Sequence, residues 1–289
     1  VMTGKPARKV AQKAMIYDDQ CPVCAWYTKT FVRVGLLQPE NRVAFGELDT
    51  RYPEVDLDRD RARHEIPLVD LAGGPTLYGL DSLVFILGQR APWIPLLLKF
   101  PPLYAFFKAL YSLVSYNRRV ITGKTAICST DTCQPDFHAF YRWVFIALAA
   151  GVATAISHAF GRPVAAVLHG YGVAMTPFAF VLMVGAGWLL DAVSAAMYLP
   201  AQRVTYFGHL AANMLIGVLL LLPGLLITAL LGYAEPVVLM VSVGFSFAMM
   251  LMQYHRRARA MGLAFTWTIM WVAHLVGGAA LVGYFLNLY

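Results

Sequence analysis

Charge is what this chain has least of. Only 13% of its 289 residues are Asp, Glu, Lys or Arg, where a soluble domain carries about 25%. Hydrophobic residues make up 59% of the chain, and the mean hydropathy is +0.59. These values exclude an ordinary soluble protein and a disordered chain alike. Cysteine is scarce too, and four in this length cannot staple a disulfide scaffold. Acidic residues almost vanish from the second half: beyond residue 139 only Asp191 and Glu235 remain, beside six basic residues. The first 139 residues hold the other 14 acidic and 17 basic ones, a normal soluble density. The chain therefore reads as a tail at 1–11, a soluble head at 12–125, a linker at 126–139 and a helical membrane domain at 140–289. A pI near 9.3 does not mean nucleic acid here. The basic excess sits mostly beside the membrane region, where topology and anionic lipids account for it.

Crossing a bilayer as a helix takes about 20 apolar residues. Five segments qualify: Phe140–Phe160, Met175–Leu199, Tyr206–Tyr233, Pro236–Tyr254 and Leu263–Leu288. Leu222-Pro223-Gly224 should kink the third or break it in two. Positive loops mark the inner side. Arg118, Arg119 and Lys124 precede the first span, and Arg203, Arg256, Arg257 and Arg259 lie between later ones. Only Arg162 falls in an outer loop, so the N-terminus is expected inside and the C-terminus outside, in the cytoplasmic (inner) membrane. Lys5, Arg8, Lys9 and Lys13 precede only a short apolar run, Ala14–Tyr17. A secretory leader needs about 7–15 apolar residues, so the head is expected in the cytoplasm.

Polar groups inside the spans are few: Asp191, His209, Asn213 and His274. Ionisable groups in lipid are costly and are often functional. These four either hydrogen-bond helices together or form a site for a proton, a quinone or a haem.

In the head, Lys13–Tyr17 reads as a buried strand running into Asp18-Asp19-Gln20-Cys21-Pro22-Val23-Cys24, followed by a helix over Ala25–Gly35. Arg42–Leu48, Ile66–Ala72 and Thr76–Gly79 read as further strands, and Leu80–Gln89 as a helix. Strand–helix–strand, a hairpin and a helix is the layout of a small thioredoxin-like α/β fold. A Cys-x-x-Cys that follows a strand and opens a helix is in the context of a redox motif. Residues three apart share a helix face. Cys21 would sit at the positive end of the helix dipole, where its thiolate is favoured. Cys24, one turn in, would be the buried resolving thiol. The alternative is half of a zinc site, but no second Cys-x-x-Cys completes it. Asp18 and Asp19 would raise the Cys21 pKa. Asp18 could take the proton from Cys24 as a general base, or cap the helix.

Tyr17-Asp18-Asp19-Gln20-Cys21-Pro22-Val23-Cys24 resembles the Asp-x-x-Cys-x-x-Cys signature of the DCC family of thioredoxin-like thiol–disulfide oxidoreductases. Asp19 stands where that family usually has glycine. The resemblance extends through Ile66-Pro67, Gly79-Leu80-Asp81-Ser82 and Tyr116-Asn117-Arg118-Arg119, over roughly residues 12–125. It implies a cis-proline at Pro67 lying against the two sulfurs, and redox chemistry through Cys21 and Cys24. Residues 140–289 resemble no membrane family.

Pro92–Val120 fits two Pro-interrupted amphipathic helices, which either finish the head's core or lie in the inner headgroup layer. Cys128 and Cys133 follow in a polar loop, as a second redox pair or as ordinary thiols. The leading function is a membrane-anchored thiol–disulfide oxidoreductase with a protein or small-molecule thiol or disulfide as partner and no required cofactor. Two alternatives stand beside it. One is a non-enzymatic subunit or assembly module among other membrane subunits. The other is a quinone- or haem-linked carrier of reducing equivalents.

Overall fold

The computed structural model describes residues 12–123 and 137–286. They divide into two compact units, with the boundary between Tyr141 and Arg142.

The first unit is built on a four-stranded mixed sheet in the order β2-β1-β3-β4. β1 (Lys13–Tyr17) is central and buried, as expected for a short apolar run. It pairs in parallel with β2 (Arg42–Ala44) and antiparallel with β3 (Pro67–Asp70), which pairs antiparallel with β4 (Leu77–Tyr78). Alternate residues of β1 feed two cores. Ala14 and Ile16 pack with Val43, Leu48 and Val69. Met15 packs with Leu37, Leu68 and Ile86. Lys13 and Asp70 face each other across β1 and β3 and form an ion pair of 2.7 Å.

The β1–α1–β2 crossover runs through α1 (Pro22–Arg33). Pro22 occupies the first turn, where its missing N–H costs nothing. β2 ends at Ala44 and not at Leu48, because its neighbour β1 ends at Tyr17, the partner of Ala44. Beyond it the chain tightens into a 3-10 turn and α2 (Leu48–Arg51). The helix α3 (Arg59–His64), capped by Asp58 through the Arg61 N–H, has no apolar periodicity and is absent from the sequence reading. α4 (Leu80–Gly88), α5 (Trp93–Leu97) and α6 (Pro101–Thr122) complete this unit. The two helices expected over 92–120 are thus present. The arrangement is the expected thioredoxin-like α/β layout.

The second unit is helical: α7 (Ala139–Gly170, begun in the first unit), α8 (Pro177–Tyr198), α9 (Arg203–Leu219), α10 (Leu222–Leu231), α11 (Pro236–Ala260) and α12 (Phe265–Phe285). Among the described residues five helical stretches are long and apolar enough to cross a membrane, α9 and α10 forming one of them. Two boundaries differ from the sequence reading by more than three residues. α7 continues past Phe160 through Pro163 to Gly170, and α11 continues past Tyr254 to take in Arg256, Arg257 and Arg259. Charge ends the apolar run there, but backbone hydrogen bonding does not stop where lipid does. α9 and α10 are interrupted at Leu220–Leu221. Pro223 lacks the N–H that would bond the Leu219 carbonyl of a continuous helix.

α8 and α12 approach through glycine. A Cβ on Gly278 would lie 2.5 Å from the Gly187 nitrogen, and one on Gly187 2.6 Å from the Leu275 Cα. Small residues at such crossings let backbones pack closely. Gly278→Val is expected to lower the melting temperature in detergent by roughly 5–10 °C through overpacking. Gly277→Val is the control, since a Cβ there meets nothing within 4 Å. Equal melting of the two variants would contradict this packing.

Candidate functional site

β1 delivers the chain to the site. After Tyr17 the backbone turns, with the Cys21 N–H donating to the Asp18 carbonyl at 3.2 Å. Cys21 becomes the N-cap of α1, in extended conformation and without a side-chain cap. Asp18 does not cap the helix. Its carboxylate accepts the Gln20 N–H at 3.0 Å and pairs with Arg118 at 3.2 Å. Glycine is therefore not required before Cys21: the turn is closed by Asp18 and Cys21, with Asp19 exposed between them.

Both cysteines are free thiols. Each is only 6% exposed, so burial does not set Cys24 apart from Cys21. The turn at 18–21 and the guanidinium of Arg118 bring covering atoms to both. The contrast is electrostatic instead. A hydrogen bond from Cys24 to the Cys21 sulfur pulls the Cys21 pKa down to about 6. Burial opposes this, the Cys24 N–H and Arg118 assist it, and Asp18 opposes it more weakly than any of these. Asp18 therefore acts in the direction expected from sequence but is outweighed. The same thiol–thiol bond, together with burial, pushes Cys24 far up. One sulfur is set up as a thiolate and the other as its proton-bearing neighbour. Burial also raises the Asp18 pKa, against the pull of Arg118 and the Gln20 N–H.

Arg118 joins the elements of the site. Its side chain, 11% exposed, donates to Cys24 Sγ at 3.7 Å and to the Arg63 carbonyl at 3.3 Å, as well as pairing with Asp18. It reaches the pair from α6, which is latched to the strap before β3. The Tyr111 hydroxyl accepts the Ile66 N–H at 2.9 Å, and Ser115 donates to the His64 carbonyl. Sequence reasoning placed Arg118 in a motif and among the inner-side charges but gave it no role at the cysteine pair. Its separation of 94 residues from Cys24 hides the contact. Tyr27, half-buried on α1, also hydrogen-bonds Cys24, and desolvation raises its pKa well above the usual value. On the other side of the pair, the Thr28 hydroxyl donates to the Cys24 carbonyl at 2.7 Å.

Pro67 opens β3 as expected, but its peptide bond is trans; no cis bond occurs among the described residues. The strap holds its shape by other means. The Ile66 carbonyl accepts both the Gly79 N–H and the Ser82 hydroxyl at 2.9 Å, and Pro67 stands opposite Tyr78 in the sheet.

The second unit brings together two of the four polar residues noted in its spans. His274 Nδ1 lies 3.1 Å from Asp191 Oδ1. The Tyr206 hydroxyl donates to Asp191 Oδ2 at 2.5 Å and lies 2.5 Å from the Tyr254 hydroxyl. Ser194 Oγ is 3.4 Å from His274 Nε2. The network ties α8, α9, α11 and α12 together, and sequence reading missed both tyrosines. Tyrosine passes as an interfacial aromatic in such spans. His209 is separate from this network and lies 3.3 Å from Arg257. Neither end of the buried Asn213 amide has a hydrogen-bond partner among the described residues. A largely apolar cavity of about 500 Å³ is lined by Phe180, Trp188, Met214, Ser246, Phe247 and Val276. Cys128 and Cys133 lie outside the described residues. Among those residues no group of three His, Cys, Asp or Glu side chains is placed to hold a metal.

No curated protein and no solved structure matches this chain. A family model does match its first unit, over the stretch that contains Asp18, Cys21, Cys24, Pro67 and Arg118. Residues 15–124 match the model of the DCC1-like thiol-disulfide oxidoreductase family.

Proposed function

We propose that the protein is a membrane-anchored thiol–disulfide oxidoreductase whose head exchanges electrons with a partner thiol or disulfide. The observation that carries this reading is the placement of two free, buried thiols at the start of one helix, with Arg118 donating to Cys24 Sγ and pairing with Asp18. The Cys21 thiolate attacks a partner disulfide, forming a mixed disulfide and expelling one partner thiolate. Cys24 then loses its proton and attacks Cys21 Sγ. The Cys21–Cys24 disulfide forms, the second partner thiolate leaves, and the partner has gained two electrons. Asp18, with its raised pKa, is the acceptor for the Cys24 proton, and Arg118 holds Asp18 and Cys24 in register. The reverse sequence oxidises a partner dithiol, and no cofactor enters either direction. The head lies on the cytoplasmic side and the C-terminus outside, a reading supported by the arginines at the end of α11 and at the start of α9.

The test is a Cys24→Ser variant of the full chain in its native membrane. A mixed disulfide is expected to accumulate on Cys21, identified by mass spectrometry, and to vanish in the Cys21→Ser/Cys24→Ser double variant. A membrane that yields no Cys21 adduct contradicts the reading and favours a head that only binds or assembles.

A second reading has a specific observation behind it: the membrane unit carries reducing equivalents on a quinone. Trp188 lines the apolar cavity, is buried, and has no partner for its indole N–H among the described residues. Trp188 also lies one turn from Asp191. His209 contacts Arg257 and His274 contacts Asp191, each through Nδ1, and a visible absorption spectrum of the purified protein distinguishes a bound haem from a quinone.

A further inference from the structure

The first unit carries an apolar face that nothing else among its described residues covers. Trp93 and Leu96 on α5 are 63% and 66% exposed, and Phe100, in the turn that follows, is 62% exposed. Phe106, Leu110 and Val114 continue the face along α6, with Phe107 beside them. At 3.6 residues per turn the four α6 residues fall within an arc of about 100°. Tyr104, Tyr111, Ser115 and Arg118 form a second arc centred about 100° round the helix. That arc is the one that binds the head, through Asp81, Ile66, His64 and Cys24. So α6 turns its hydrogen-bonding side inward and its aromatic side outward, the reverse of a soluble surface helix. Contiguous exposed apolar surface of this kind marks an interaction site.

Charge and chain position identify what covers it. Residues 92–122 contain no Asp or Glu, and Lys99 and Lys108 accompany the aromatic residues. The first helix long enough to cross a membrane begins at Ala139, only 17 residues beyond the end of α6 at Thr122. Aromatic and aliphatic residues interleaved with lysines, without acids, fit the headgroup layer of an anionic bilayer.

We propose that α5 and α6 lie in the interfacial layer of an anionic lipid bilayer, with Trp93, Leu96, Phe100, Phe106, Leu110 and Val114 facing the acyl chains. This goes beyond the redox reading and also narrows it, resting on that reading for the partner. The helix whose outer face meets lipid carries Arg118 to Cys24 on its inner face. The pair then works at the membrane surface, on a thiol or disulfide held there.

The test uses the full chain with all four cysteines replaced by serine, in nanodiscs containing phosphatidylglycerol. A spin label is attached through Phe100→Cys, Leu110→Cys or Trp26→Cys, one at a time. Trp26, 70% exposed on α1, is the control. At 100 and 110, collision with oxygen is expected to exceed collision with a water-soluble nickel chelate, and at 26 the order is expected to reverse. The nickel chelate dominating at all three sites would overturn the proposal. So would low access to both probes with dipolar broadening at 100 and 110, which means that a second copy covers the face. In the unlabelled chain, brominated lipid is expected to quench wild type more than Trp93→Phe, and equal quenching of the two would count against the proposal. Redox activity of Cys21 is not read in either measurement, so its absence leaves this result standing.

Discussion

Replacing Cys24 with alanine is expected to move the Cys21 ionisation from about 6 toward the ordinary thiol value near 8.5. The hydrogen bond from Cys24 is the largest of the effects that hold the Cys21 thiolate, and alanine removes it. At pH 6 the thiolate fraction would fall from about one half to about 0.3%, roughly 150-fold. A more basic thiolate is also a better nucleophile, by roughly tenfold over such an interval at a Brønsted slope of about 0.4–0.5. The net expectation is a loss of roughly tenfold in alkylation rate at pH 6, shrinking to about twofold or threefold at pH 7. The midpoint of the pH–rate profile is the cleaner readout. A midpoint left near its wild-type position in Cys24→Ala would mean that the helix start and Arg118 hold the thiolate without Cys24.

The second large effect concerns Arg118. Its ion pair with Asp18 has side chains only 11% and 10% exposed. Removing one member of a buried pair costs roughly 3–5 kcal/mol when the other stays charged. Arg118→Met is therefore expected to destabilise the head by roughly 3–5 kcal/mol at pH 7. The sign of the pH dependence follows from the Asp18 pKa, which burial raises in the folded state. The folded head then binds the proton more tightly than the unfolded chain does. Stability is greatest below the ordinary carboxylate pKa and falls as pH rises from there through the raised value. Arg118 opposes that rise, so its loss steepens the fall. Thermal unfolding of the full chain in detergent at pH 5 and pH 8 should show a larger gap for Arg118→Met than for wild type. Adding Asp18→Asn should close the gap and restore most of the stability. A double variant as unstable as the single one would show that Arg118 acts through packing and not through charge.

Much of the fold is legible because its strongest signals are local. The apolar run at 13–17 can only be a buried strand, and the five long apolar stretches can only be helices. Cys-x-x-Cys takes its meaning from the strand before it and the helix after it. What sequence conceals depends on partners far along the chain. β2 stops at Ala44 because of where β1 stops, which no property of residues 42–48 encodes. Pro67 opens β3 as foreseen, yet Tyr111, Gly79 and Ser82 hold Ile66 around a trans bond. The near-equal burial of Cys21 and Cys24 comes from the 18–21 turn and a guanidinium from α6. In the spans, Asp191 and His274 stand out as ionisable groups among apolar neighbours. Tyr206, which bonds Asp191, and Tyr254, which bonds Tyr206, do not, because tyrosine is ordinary there. α7 and α11 run past the ends of their apolar stretches because a helix terminates by capping and backbone geometry and not by hydropathy.

The central claim is that Cys21 and Cys24 form a reversible two-electron couple. It is tested most directly by equilibrating the full chain, in membranes, against a series of glutathione redox buffers. The Cys21–Cys24 peptide is then quantified as dithiol or disulfide by differential alkylation and mass spectrometry. The account predicts one reversible transition, reached from both the oxidised and the reduced side and absent in Cys24→Ala. A pair that stays in one state across the whole series, or that closes and never reopens, would contradict it.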